Sequence, residues 1–260
     1  MFLSQVLCKF LEKRNRYTIS HWDHTTTSRS PTDDVFARMP RLLEAREDSS
    51  CCCRYACLHK RELDIGIFPP NIADGQGFPT GVSPLLRMHR PFRCSWAYPH
   101  PAEGCALWQP QELRVLRADG SLVGVLLQDF RCYEYCCRCN RYVVANDGAG
   151  ERRHVWRTHL CCCRPSPECT CGCTQCGNCF APSCCNRSFS IDVLDADEAN
   201  VIGSLEIVWP GWNCKGVAAA GFENYLLRFP ENSTGNERAL ILSGLFLQDY
   251  MFFEWRKNDK

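Results

Sequence analysis

Short runs in which apolar and polar residues alternate, punctuated by turn residues, fill most of the chain. Successive side chains on a strand point to opposite faces, so this period-two pattern predicts strands rather than a helical bundle or a regular βαβ alternation. Residues 112–116 and 121–128 flank Ala118-Asp119-Gly120, a hairpin signal because glycine accepts a positive φ. Residues 141–145 and 152–160 flank Asn146-Asp147-Gly148 and read the same way. Residues 188–194 alternate, 195–200 turn, and 201–209 alternate again; 223–229 form a further strand that Pro230 ends. The phrase VLRADGSLVG at Val115 returns loosely as VLDADEANVIG at Val193, strand, turn and strand each time. Residues 18–50 are polar and 69–84 are rich in Gly and Pro, and both read as long loops.

The last segment departs from this pattern. Thr234-Gly235-Asn236-Glu237 has capping-box spacing, and a nearly apolar run follows, which predicts a helix over 236–255. Its unbroken apolar stretch, Ala239 to Leu247, is nine residues. At 1.5 Å per residue that is about 14 Å, under half the ~30 Å of a hydrocarbon core. Gln248 and Asp249 then interrupt it. Two readings stand: a helix buried inside a β domain, or a single membrane pass, with Leu240, Leu242, Leu245, Phe246, Phe252 and Phe253 as its apolar contacts in either case.

Composition adds one large anomaly. Lys+Arg 30 against Asp+Glu 29 leaves no net field to attract polyanions, so no nucleic-acid partner is expected. The 22 cysteines have the density of a disulfide scaffold, yet 260 residues are enough for an ordinary core. The first residues, broken by Gln5 and Lys9, lack the continuous apolar stretch of a signal peptide, so reduced thiols are expected. Three uses remain for them: metal ligation, lipid attachment or plain packing.

Grouping separates these uses. Adjacent runs such as Cys51-Cys52-Cys53 and Cys161-Cys162-Cys163 make poor metal sites, because neighbours on an extended backbone diverge, but they suit thioester acylation. Within 161–187, read as a Cys-rich insertion between strands, Cys173, Cys176 and Cys179 have x₂ spacing that suits zinc, with His154 and His159 as further candidate ligands. No G-x-S-x-G, H-E-x-x-H or P-loop pattern occurs, so no catalytic residue is expected. The chain reads as one domain over 1–260.

HRPFRC at His89 and FLQDYMFFE at Phe246, with SSCCCRYAC at Ser49, Leu63-Asp64-Ile65, QELRVLRADGSLVG, SFSIDVLDADEANVIG and ENYLLRFPEN in order, resemble the phospholipid scramblase family over roughly 5–254. The resemblance implies a mainly β, tubby-like fold: a closed antiparallel barrel of about twelve strands around a C-terminal hydrophobic helix. The chain starts near where the family's first strand ends, which would leave the barrel incomplete. The implied activity is calcium-stimulated, ATP-independent movement of phospholipids between leaflets, without covalent chemistry, by a protein at the plasma membrane with its barrel toward the cytosol. An unpaired charge in hydrocarbon costs several kcal/mol, so a headgroup path would need a homo-oligomer or bilayer distortion.

The same resemblance assigns weak Ca²⁺ binding to 221–232, with Glu223, Tyr225, Leu227, Phe229 and Asn232 at the liganding positions. Gly221 and Asn232 stand where the family prefers acids, leaving Glu223 and Glu231 as the only carboxylates there, against the six to eight oxygens calcium takes. The alternative is a plain strand with Tyr225, Leu227 and Phe229 turned inward. The family carries covalent palmitate at a cysteine cluster after the RPFRC-like phrase, where this chain has only Cys94 and Cys105. Cys136, Cys137, Cys161, Cys162 and Cys163 are the further acylation candidates, and Cys8 and Cys214 are assigned to packing. The competing reading is a soluble tubby-like interaction module, zinc-stapled, that moves no lipid.

Overall fold

Eleven strands, the seven expected runs among them, form a single antiparallel sheet in a computed structural model, which describes residues 15–22, 38–49, 62–72, 75, 77–92, 110–129, 140–159, 189–208 and 224–250. They are β1 (Arg16–Ser20), β2 (Arg41–Asp48), β3 (Leu63–Phe68), β4 (Leu86–Arg90), β5 (Glu112–Arg117), β6 (Leu122–Asp129), β7 (Asn140–Asp147), β8 (Arg152–His159), β9 (Phe189–Leu194), β10 (Val201–Val208) and β11 (Asn224–Arg228), followed by helix α1 (Gly235–Gln248). Every strand pairs with its neighbours in sequence, in the order β1 to β11. The mainly β reading stands, but among the described residues no ladder joins β1 to β11, so hydrogen bonds do not close the sheet into a barrel.

One face of the sheet packs on α1. Ile65, Met88, Val115, Leu126, Val143, Trp156, Ile191 and Leu205 alternate inward and form one cluster with Leu240, Ile241, Leu245, Phe246 and Leu247. Five such helix side chains contribute on the order of 10 kcal/mol gross, at 1.5–3 kcal/mol each. The helix lies chiefly against β6, with β5 and β7 beside it. Its start is fixed by the expected capping box: the Glu237 N–H donates to Thr234 Oγ1 at 3.3 Å, and Thr234 N donates to Glu237 Oε2 at 2.7 Å. Leu240, Leu245 and Phe246 are buried and Leu242 is partly so, while Phe252 and Phe253 lie outside the described residues. The helix ends at Gln248, earlier than the predicted 255, and among the described residues no helix is long and apolar enough to cross a membrane.

Two sequence expectations need correcting. Residues 18–50 are not simply a loop, because β1 ends within them and β2 occupies 41–48. Their polarity comes from paired charges: Glu44 accepts from Arg16 Nη2 at 2.8 Å and also from the buried Arg46, while Ala45 and the partly buried Leu43 face the core. The second hairpin turns two residues later than Asn146-Asp147-Gly148 suggests. Gly150 has φ +87°, and Asp147 stays in β7, its Oδ1 accepting from the N–H groups of Ala149 and Glu151 at 2.9 Å each. The two related phrases do form equivalent hairpins, β5–β6 and β9–β10, turning through positive φ at Gly120 and Glu198.

His154, considered as a zinc ligand, is taken up by the core instead. It lies on β8 beside Trp156, 2% exposed, with the two rings edge-to-face at 6.5 Å. Burial pushes its pKa down to about 4, only partly opposed by the Glu237 carboxylate. The unfolded chain, with an ordinary histidine near 6.5, therefore takes up this proton first as pH falls. The contribution is complete above pH 6.5 and shrinks as pH drops toward 4, by about 2 kcal/mol at pH 5. His154→Gln should flatten the fall in urea midpoint between pH 7 and pH 5 relative to the parent.

Candidate functional site at the polar end of the core

The strands and helix give the core two unlike ends. The turns β5–β6, β7–β8 and β9–β10 and the start of α1 share one end, here the turn end, where Arg117 Nη2 donates to Asn236 Oδ1 at 3.0 Å. The other is the exit end, where β2, β4, β6, β8 and β10 stop and α1 finishes. Along α1 toward the exit end, the buried side chains change from aliphatic to polar, ending in Gln248, Asp249 and Tyr250.

Each of the three finds a partner on the sheet. Thr158 Oγ1 of β8 donates to Gln248 Oε1 at 2.9 Å. Asp249 is the shared acceptor of two tyrosines: Tyr17 Oη of β1 donates to Oδ2 at 2.6 Å, and Tyr225 Oη of β11 donates to Oδ1. The edge strands, unpaired to each other, thus meet on one helix-borne carboxylate. Tyr250 Oη donates to Glu47 Oε2 of β2 at 3.0 Å, and Asn15 Nδ2 donates to Tyr250 Oη at 3.3 Å. Glu47 accepts as well from Asn15 N at 3.0 Å and from Ser49 Oγ.

Solvent contributes almost nothing here, since Glu47 is 0% and Asp249 1% exposed. Burial first, then the Asp249 carboxylate beside it, raises the Tyr17 pKa well above the ordinary phenol value, so Tyr17 remains a donor. Asp249 also stands at the helix C-terminus, whose dipole disfavours negative charge, and the last turn carries no basic residue. What holds the carboxylate is the pair of tyrosine hydroxyls. Nearby, the buried Arg90 donates to Gln111 Oε1 from Nε at 3.1 Å, and Gln111 N donates to Gln128 Oε1 at 3.3 Å. On the opposite face of β3 and β4, Asp64 accepts both Arg87 Nε and Nη2 at 3.0 Å and lies 3.1 Å from His89 Nδ1. The arrangement ties helix to sheet and pairs buried charge; its hydroxyls donate to carboxylates rather than standing as nucleophiles beside a base.

Four of the five expected calcium positions fall within the described residues. Tyr225 is engaged with Asp249, Leu227 packs on the core, Phe229 is 39% exposed beyond the strand and Asn232 is exposed in the next turn. Tyr225 and Leu227 follow the plain-strand alternative and Phe229 does not. Glu223 lies outside the described residues, as do Cys94, Cys105, Cys136, Cys137, Cys161, Cys162, Cys163, Cys173, Cys176 and Cys179. Among the described residues no group of three or more His, Cys, Asp or Glu could hold a metal ion. The polar cluster was missed in the sequence, although an aspartate inside the apolar run 239–255 signals a buried partner.

These features define a class of protein: an antiparallel sheet laid around its own C-terminal helix and fastened to it by side chains. A sequence-family model described as Scramblase matches residues 170–255, which take in β9, β10, β11 and α1. Phospholipid scramblase 1 of Rattus norvegicus is 25% identical over 222 residues, 85% of this chain and 52% of that protein. Phospholipid scramblase 2 of Bos taurus is 25% identical over 221 residues, 84% of this chain and 59% of that protein. Phospholipid scramblase 1 of Homo sapiens is 24% identical over 215 residues, covering 82% and 53%. The chain is therefore similar in sequence to the phospholipid scramblases, and it spans about half the length of the curated relatives it matches. No solved structure matches it.

Proposed function

We propose that this chain is a membrane-associated protein that promotes, or regulates, movement of phospholipids between the two leaflets of a bilayer, without covalent chemistry on the lipid and without ATP. The observation that carries the reading is the scramblase match across β9 to α1, the region that contributes Tyr225 and Asp249 to the polar end of the core. Location at the plasma membrane with the sheet on the cytosolic side, and a homo-oligomer as the working form, belong to the same proposal. Calcium stimulation also stays within it, through Glu223, Tyr225, Leu227, Phe229 and Asn232.

Anchoring by acylation of Cys94, Cys105, Cys136, Cys137 or Cys161 to Cys163 completes the reading. A cysteine thiolate attacks the carbonyl of an acyl thioester, the donor's thiolate leaves, and the acyl group passes from one sulfur to another with no change of oxidation state. Each buried CH₂ contributes ~0.8 kcal/mol, and two chains give stable attachment. A second reading, a soluble module stapled by zinc at Cys173, Cys176 and Cys179, is favoured by the placement of α1 inside the sheet, which leaves that helix no lipid contact.

The test is the full chain in liposomes carrying a fluorescent lipid in both leaflets, with dithionite added outside. Quenching beyond the outer-leaflet fraction is expected, faster with calcium than with chelator. Quenching that stops at the outer leaflet in both conditions would establish the module instead.

A further inference from the structure

The turn end also receives the connections 21–40, from β1 to β2, and 69–85, from β3 to β4. Around β2 to β4 it carries a cluster of exposed aliphatic side chains: Leu42 is 49% exposed, Val82 41% and Leu85 51%. Strand alternation puts Leu42 and Leu85 on the outer face of the sheet, because Leu43 and Leu86 beside them pack against the core. Phe68 of β3 lies between the two. It pairs with Glu44 on β2, and on its other side the Leu85 N–H donates to Ile67 O at 2.8 Å. Two strand spacings, about 10 Å, therefore span the row from β2 to β4.

The segment 77–85 is rooted on that outer face. Phe78 packs edge-to-face on the buried Phe68 at 5.4 Å, above Gly66, where a Cβ would stand 2.6 Å from the Phe68 ring. From this root the chain makes a turn in which the Val82 N–H donates to Pro79 O at 3.5 Å and Gly81 has φ +77°. A glycine turn of this kind usually carries polar residues, yet here it ends on an aliphatic side chain. Exposed Arg38 and Arg41 lie beside Leu42, and the described residues of 38–43 and 69–85 include no carboxylate; Asp74 lies outside them. The remaining exposed apolar residues of the turn end, Leu122, Val201 and Phe229, each have an acid within four positions: Asp119, Asp197 and Glu231.

We propose that this corner, Leu42, Val82 and Leu85 with Arg38 and Arg41, is the surface by which the protein seats on a phospholipid bilayer. This deepens the membrane reading above and rests on it. The chemistry selects that occupant. A bilayer presents phosphodiester anions above an apolar layer, and guanidinium forks match phosphate while aliphatic side chains enter the acyl boundary about 5–10 Å below. A corner bearing two cations and no described carboxylate is drawn to an anionic leaflet, whereas the acid-bearing turns β5–β6 and β9–β10 are repelled by it. The sheet therefore meets the membrane by one corner, tilted, rather than flat on its turn end.

The experiment sediments the full chain with phosphatidylcholine–phosphatidylserine vesicles, using protein made in cells that acylate cysteine, before and after hydroxylamine has cleaved any thioesters. The treated parent is expected to sediment still. Val82→Ser with Leu85→Ser should lower its partition coefficient roughly tenfold. Arg38→Gln with Arg41→Gln should lower it roughly twentyfold, at about fivefold for each guanidinium. Leu122→Ser with Val201→Ser should leave it unchanged, and all three variants should keep the parent's urea midpoint. Treated Val82→Ser/Leu85→Ser protein that partitions like the parent, or an equal loss in the Leu122→Ser/Val201→Ser control, would overturn the corner and leave membrane association standing. So would a treated parent that stays in the supernatant while the acylated form sediments. A dimer in solution that Val82→Ser with Leu85→Ser dissociates would assign the corner to a second copy instead. Failure of both forms to sediment would overturn the membrane reading as well.

Discussion

Gly244→Ala is expected to destabilise the protein by about 3 kcal/mol, although alanine is the better helix former by roughly 1 kcal/mol. The sign is decided by space. A Cβ at Gly244 would stand 2.2 Å from Trp156 Nε1, 2.4 Å from Cε2 and 2.7 Å from Cζ2. Trp156 is the largest fully buried side chain among the described residues, a flat ring with no flexible end to swing aside, set between β8 and the helix. Either the ring or α1 must move, and α1 is fixed at one end by its capping box and at the other by Asp249. Urea unfolding of the single variant measures the loss. Trp156→Phe, which shortens the ring system, should restore part of it, and a double-mutant cycle showing no coupling between the two positions would refute the packing argument.

Asp249→Ala is expected to cost about 3–5 kcal/mol, in the range for breaking a buried charged network on one side. It removes the buried acceptor that the hydroxyls of Tyr17 and Tyr225 share, and it unfastens β1 and β11 from the helix at once. Tyr17→Phe or Tyr225→Phe removes one donor and leaves the carboxylate the other, so each alone should cost about 1–3 kcal/mol. Hydrogen exchange adds the spatial test. The alanine variant should lose protection in both edge strands together, whereas β6 and β7, against the middle of the helix, should keep theirs. Equal loss across all strands would mean that Asp249 contributes only to global stability.

Much of the fold was legible because hairpin turns and strand alternation are local properties. The β5–β6 and β9–β10 hairpins, the capping box at Thr234 and the stop at Pro230 all depend on residues within a few positions of one another. β2 was obscured because three of its buried positions are charged: Glu44, Arg46 and Glu47 are tolerable there because Glu44 pairs with Arg46 and Arg16, and Glu47 accepts from Tyr250. The same holds for the polar end of the core. Asp249 read as an interruption of an apolar run because its two partners are separated from it by 232 and 24 positions. Closure of the barrel was expected from the family resemblance; among the described residues, side chains on α1 link the edges and backbone ladders do not.

That α1 follows all eleven strands in the chain has a consequence for synthesis. As the polypeptide emerges from the ribosome, each strand can pair with the one before it, so the sheet grows by local steps that need no distant segment. Its inner face nevertheless stays bare until α1 arrives, because α1, the helix that packs on it among the described residues, is encoded after Arg228. The nascent sheet therefore spends nearly the whole of translation with an apolar surface waiting, the state in which chains aggregate or recruit chaperones. A message truncated upstream of Gly235 would leave that surface permanently uncovered, and its product should be cleared from the cell rather than accumulate as a smaller folded form.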